Sequence, residues 1–146
     1  FEVIQNLTRE KQRFANYLFL KCSGIAQDKD IQNTSATTIA LMERFETVDD
    51  LANADLEELT SFIDEKGRNF ADPAAKAKAI QTAARDSYRL PITVNNSVNQ
   101  AMAVSIASMR ALERQVKVLD KAIEQQFEII PNTLTSIPRT VKLNES

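Results

Sequence analysis

From Thr93 to Ile130 the apolar positions follow a three-four repeat. Val98, Met102, Ser105, Met109, Leu112, Val116, Leu119, Ile123, Gln126 and Ile130 are separated alternately by four and three residues, and only Ser105 and Gln126 among them are polar. That spacing holds every member on one face of a helix and forms the heptad seam of a coiled coil. Met102, Met109, Val116, Ile123 and Ile130 take position a, and Val98, Ser105, Leu112, Leu119 and Gln126 position d. Branched residues at a with leucine at d suit two parallel strands, while the few charges at e and g leave antiparallel pairing open. At 1.5 Å per residue the helix is roughly 55 Å long, too long for a small core to cover. Part of the seam is expected to join a second copy, in competition with burial against an N-terminal helix.

The rest of the chain also reads as helix. Ile4, Leu7, Phe14, Tyr17 and Leu18 predict a first helix from Glu2 to Cys22, with Ile4, Leu7, Phe14 and Leu18 as its inner stripe and Ser23-Gly24 as its stop. Gln27 to Asn33 reads as a loop. Thr34 or Ser35 can cap a second helix ending near Phe45, with Ile39, Leu41, Met42 and Phe45 inward. Thr47-Val-Asp-Asp50 and Asp55-Leu-Glu-Glu58 resemble capping boxes and predict two short helices. The second of these turns Leu56, Leu59, Phe62 and Ile63 inward and ends on Gly67 as a left-handed cap. Asp72-Pro73 starts a further helix, which reaches as far as Tyr88 and stops before Leu90-Pro91. Asn95 or Thr93 then caps the long helix, and Pro131 ends it. The expected fold is all-α: a helical region over 1–91, a long coiled-coil helix over 92–130 and an irregular tail over 131–146.

Composition narrows the chemistry. The 146 residues include no histidine and one cysteine, Cys22, which removes disulfide scaffolds, Cys/His zinc sites and histidine-based nucleophile activation within this chain. A reducing, cytoplasmic setting fits, and no apolar run is long enough to span a membrane. A first residue other than methionine suggests a piece of a longer chain. The net charge of −2 conceals segregation: residues 28–65 hold eleven acids and two bases, and residues 66–91 six bases and two acids. Helix caps account for many of those acids.

No catalytic constellation emerges. Asp49-Asp50 and Glu57-Glu58 are adjacent pairs whose side chains do not converge on a helix, Gly24 and Gly67 do not form a phosphate loop, and Cys22 lacks a base. Neither a metal nor a cofactor site is expected. Basic residues offer the better lead. Arg110, Arg114, Lys117 and Lys121 share one side of the long helix, away from the seam. Lys66, Arg68, Lys76, Lys78, Arg85 and Arg89 gather around the Asp72-Pro73 helix, and Arg9 and Arg13 lie four apart on helix one. Such stripes suit the phosphates of RNA or DNA, with Phe70 and Tyr88 as candidate stacking groups; a solvated, ion-paired surface is the plainer reading.

The wording Leu7-Thr-Arg-Glu-Lys-Gln-Arg-Phe-Ala-Asn-Tyr-Leu-Phe19, Phe45-Glu-Thr-Val-Asp-Asp-Leu-Ala-Asn53, Glu65-Lys-Gly-Arg-Asn69 with Asp72-Pro73, and Ile130-Pro-Asn-Thr-Leu-Thr-Ser-Ile-Pro138 resembles the middle of insertion-sequence transposases of the IS-one-ten family. The resemblance covers nearly the whole chain. It implies a helical, coiled-coil connector between a RuvC-like domain with an Asp-Glu-Asp-Asp magnesium site and a domain with a nucleophilic serine, in recombinases some of which use a bridge RNA. Both sets of catalytic residues would lie outside this chain. Where the family continues into Gly-Ile-Gly, Pro138 is followed here by Arg139-Thr140-Val141, so neither Ser136 nor Ser146 takes the nucleophile's role. The expectation is a non-catalytic transposase segment that joins subunits and contacts nucleic acid; the alternative is a protein-protein adaptor.

Overall fold

The computed structural model describes residues 1–67 and 70–133, with side chains as far as Phe127. It contains α1 (Glu2–Lys21), α2 (Ser23–Gln27), α3 (Ala36–Arg44), α4 (Val48–Ala52), α5 (Leu56–Lys66), α6 (Pro73–Arg85) and α7 (Ile92–Thr133). No strand occurs among the described residues, and the fold is all-α.

Four helix starts are set by the side chain just before them. Ser35 Oγ accepts from Thr38 N at 3.2 Å, Thr47 Oγ1 from Asp50 N at 3.0 Å, Asp55 Oδ2 from Glu58 N at 3.1 Å and Asp72 Oδ1 from Ala75 N at 3.1 Å. Each bond satisfies an amide that has no carbonyl partner within its helix, typically worth about 1 kcal/mol. Pro73 at the first position of α6 forfeits no hydrogen bond.

Other boundaries differ from those expected. α1 ends at Lys21, close to the expected stop at Ser23-Gly24, but after a bend at Cys22 the unexpected short helix α2 begins at Ser23, which buries Ile25. Gly24 serves a close approach instead, since a Cβ there would collide with the Ala83 carbonyl of α6. Gly67 is extended, with φ −89° and ψ 177°, and the Phe70 ring fills the space of a Cβ. Thr93 and Asn95 lie inside α7, where Asn95 N donates to Pro91 O at 2.9 Å. Pro131 does not end α7, which continues to Thr133. Residues 134–146, most of the expected tail, lie outside the described residues. α6 ends at Arg85, leaving Tyr88 77% exposed, and Ile4 and Leu56 face outward.

α1 and α7 run antiparallel. Lys21 at the end of α1 bonds Phe45 O, Asn95 near the start of α7 bonds Glu46 O, and further along both helices Ser105 meets Glu10. Phe14 and Leu18 of α1 are fully buried, together with Val98, Met102, Ile106 and Met109 of α7. Burial of each large apolar side chain contributes about 1.5–3 kcal/mol. Beside this pair, α2, α4 and α5 pack on α6, and α3 packs on α5. The small residues Ala77, Ala83 and Ala84 let these helices approach α6 closely, around Leu51, Leu59, Ile63 and Ile80.

Candidate functional site

The seam of α7 divides into two halves. Val98, Met102, Ser105 and Met109 are at most 7% exposed because α1 covers them. Leu112, Val116, Leu119 and Ile123 continue the same face but are only half-buried, and the Ile130 side chain lies outside the described residues. The Glu10–Ser105 contact sets the offset between the helices: counting back to Glu2, the start of α1 lies level with about residue 113 of α7. Beyond that level α7 runs on for roughly 30 Å. The N-terminal half of the expected dimer seam is thus an intramolecular interface, and the seam available to a second chain is Leu112, Val116, Leu119 and Ile123.

Several side chains of the expected basic patches bond within the chain. Arg89 Nε donates to Asp49 Oδ1 at 2.7 Å, and its Nη1 donates to Ala84 O at 3.1 Å and to Ser87 O, closing the end of α6. Arg85 reaches Ala52 O at 3.4 Å, and Lys76 Nζ donates to Asp30 O at 2.9 Å while lying 5.8 Å from the Phe70 ring centroid. Lys78 is exposed, and Arg68 lies outside the described residues. Arg9 and Arg13 are exposed; Arg9 bonds Asn6 at 3.2 Å and Arg13 pairs with Glu10 at 3.2 Å.

On α7 the stripe is anchored at one end. Arg110 holds Glu43 of α3 through two bonds of 3.0 and 2.8 Å, and this pairing raises the pKa of its guanidinium. Arg114, Lys117 and Lys121 are exposed and make no ion pair among the described residues. They flank the half-buried seam, so one stretch of α7 carries both the unfilled apolar face and open cations. Tyr88 is well exposed, whereas Phe70 is half-buried beneath Lys76.

Two charged residues on the inner stripe of α1 belong to the structure rather than to a site. Lys21 is 2% exposed and donates to Met42 O at 3.1 Å and Phe45 O at 2.6 Å, capping the end of α3. Burial lowers its pKa, with the charges of Cys22, Glu46 and Asp50 acting in the opposite direction. Glu10 accepts from Ser105 and from Arg13. Their spacing with Leu7, Phe14 and Leu18 carried that signal, but charge alone points such residues toward solvent. Cys22, 1% exposed, has its thiol pushed up to about 12 by burial, which makes it a poor nucleophile at neutral pH.

Among the described residues no group of three or more acidic or cysteine side chains is arranged to hold a metal ion. No helix there is long and apolar enough to cross a membrane. Comparison of the chain with protein-family models, with curated proteins and with solved structures finds no match.

Proposed function

We propose that this chain is a non-catalytic helical connector of an insertion-sequence transposase of the IS-one-ten type. It joins two copies through Leu112, Val116, Leu119 and Ile123, and it offers Arg114, Lys117 and Lys121 to the phosphates of an RNA or a DNA. The observation that carries this reading is the continuation of one heptad face beyond the reach of α1. The resemblance in wording along the chain supplies the parentage, and the all-helical fold agrees with it. Chemistry in the parent protein would fall to domains on either side, with no cofactor held by this segment.

A second reading, a protein-protein adaptor without a nucleic-acid role, draws support from the internal bonds of Lys76, Arg89 and Arg110. Two measurements separate the readings. Light scattering at high micromolar concentration is expected to give twice the chain mass, and a monomer mass there removes the joining role. Labelled structured RNA and duplex DNA at low ionic strength are expected to give a salt-sensitive shift with at least one of them. The absence of any shift, with a dimer retained, leaves the adaptor.

A further inference from the structure

Between the end of α3 and the outer face of α5 lies an open cleft of about 180 Å3, lined by Arg44, Phe45, Asp50, Asp55, Glu58 and Phe62 among others. Phe45 and Phe62 are half-buried, and one guanidinium lies against both rings: Arg44 Cζ is 5.8 Å from the Phe45 centroid and 5.4 Å from that of Phe62. Lys66 Nζ stands 5.8 Å from the Phe62 centroid as well. The pair of rings therefore already holds cations.

Arg44 uses only part of what the cleft offers. It makes no ion pair among the described residues, although three carboxylates line the same cleft. Asp55 is committed to capping α5, whereas Asp50 and Glu58 are exposed at the rim. A guanidinium binds aromatic rings through its flat, weakly hydrated face and carboxylates through its N–H edge. Arg44 occupies the rings without engaging a carboxylate, while Asp50 and Glu58 line the same cleft. The excess of acids over residues 28–65 adds a field that draws a cationic segment toward this face.

We propose that this cleft is a docking site for an arginine-bearing segment of a protein partner, whose guanidinium displaces Arg44 from Phe45 and Phe62 and bonds Asp50 and Glu58. Arg44 is then an intramolecular placeholder. The proposal does not depend on the connector reading.

An acetylated, amidated hexapeptide of alternating arginine and serine, and its counterpart with neutral citrulline for arginine, test the proposal in amide NMR titrations of the full chain. The arginine peptide is expected to shift signals confined to residues 44–62, and the citrulline peptide to leave them unmoved. Arg44→Gln should tighten binding about threefold by removing the guanidinium from both rings, whereas Arg9→Gln, which removes the same charge elsewhere, should not. Phe62→Leu should weaken binding about fivefold with the charge unchanged, and Glu58→Gln, at an exposed position, should weaken it without perturbing the fold. Shifts scattered over the acidic surface, equal binding of the citrulline peptide, or Arg44→Gln binding no tighter than Arg9→Gln would each overturn the proposal.

Discussion

Ser105 Oγ donates a 2.7 Å hydrogen bond to Glu10 Oε2 in the middle of the α1–α7 interface, between residues that are 1% and 8% exposed. A carboxylate in an apolar seam is tolerated only when donors satisfy it, and Ser105 and Arg13 do so here. Ser105→Ala should therefore destabilise the chain by about 1–3 kcal/mol, the usual cost of stranding a buried polar group. Adding Glu10→Leu to Ser105→Ala should recover most of that loss by making the seam apolar throughout. Urea unfolding of the two single variants and the double variant measures this; simple additivity of the single effects would show that the residues are not coupled.

Gly24 makes a second sharp case. Its amide donates to Ser87 Oγ at 2.8 Å, Ser87 Oγ donates to Ala83 O at 2.9 Å, and Tyr88 N donates to Ser23 Oγ at 2.9 Å, which ties the start of α2 to the end of α6. Alanine normally favours a helix over glycine by about 1 kcal/mol. Gly24→Ala should nevertheless destabilise, by about 2 kcal/mol or more, because its Cβ meets backbone at Ala83 rather than a movable side chain. A lowered thermal midpoint is the expected result, and a raised one would mean that α2 moves off α6 without penalty.

The helix starts were legible because a cap acts locally: Thr47, Asp55 and Asp72 each bond an amide three residues ahead, and a reader of the sequence sees both partners. The two-helix frame was legible for a similar reason, since a heptad face is a property of one segment. The burial of Lys21 and Glu10 was written only in their spacing with Leu7, Phe14 and Leu18, and their charge hid it, because the groups that satisfy them lie far along the chain at Met42, Phe45 and Ser105. Gly24 had the look of a helix stop, yet the contact that demands glycine lies on another helix. The basic patch of residues 66–89 was grouped by nearness in sequence, and folding turned Lys76, Arg85 and Arg89 to carbonyls and to a carboxylate on other segments.

Cys22 gives the alkaline limb of stability a defined sign. Burial pushes its thiol from an ordinary 9.0 up to about 12, against the opposing charges of Lys21 and Arg89. In the unfolded chain the thiol loses its proton first, so the stability it contributes is complete below pH 9 and declines between about pH 9 and 12. Lys21 works in reverse: burial lowers its pKa, the unfolded chain holds the extra proton, and stability rises with pH through the window below 10.5. Comparing the chain with Cys22→Ala keeps Lys21 in both and reads the thiol together with its coupling to Lys21. The difference in urea midpoint, measured under reducing conditions, should stay constant below pH 9 and then move in favour of Cys22→Ala, by up to about 1.4 kcal/mol per pH unit. A difference that stays flat to pH 11 would show that the thiol ionises equally in both states.

The two halves of the α7 seam should answer differently to the same substitution. Met102 is 2% exposed beneath α1, so Met102→Asp places an unpaired carboxylate in the core and should cost about 3 kcal/mol or more, read as a lower unfolding midpoint. Leu119 lies half-buried beyond the level where α1 begins, so Leu119→Asp should leave the helical circular dichroism of the monomer and its α1–α7 contacts intact. Its effect should fall on association, because a charge at position d of a two-stranded seam has no partner there. Sedimentation velocity at matched concentrations is expected to show the parent chain at dimer mass and Leu119→Asp at monomer mass. If both chains sediment as dimers, the copies meet through a surface other than this seam; if Leu119→Asp unfolds like Met102→Asp, the distal half of α7 is held within its own chain.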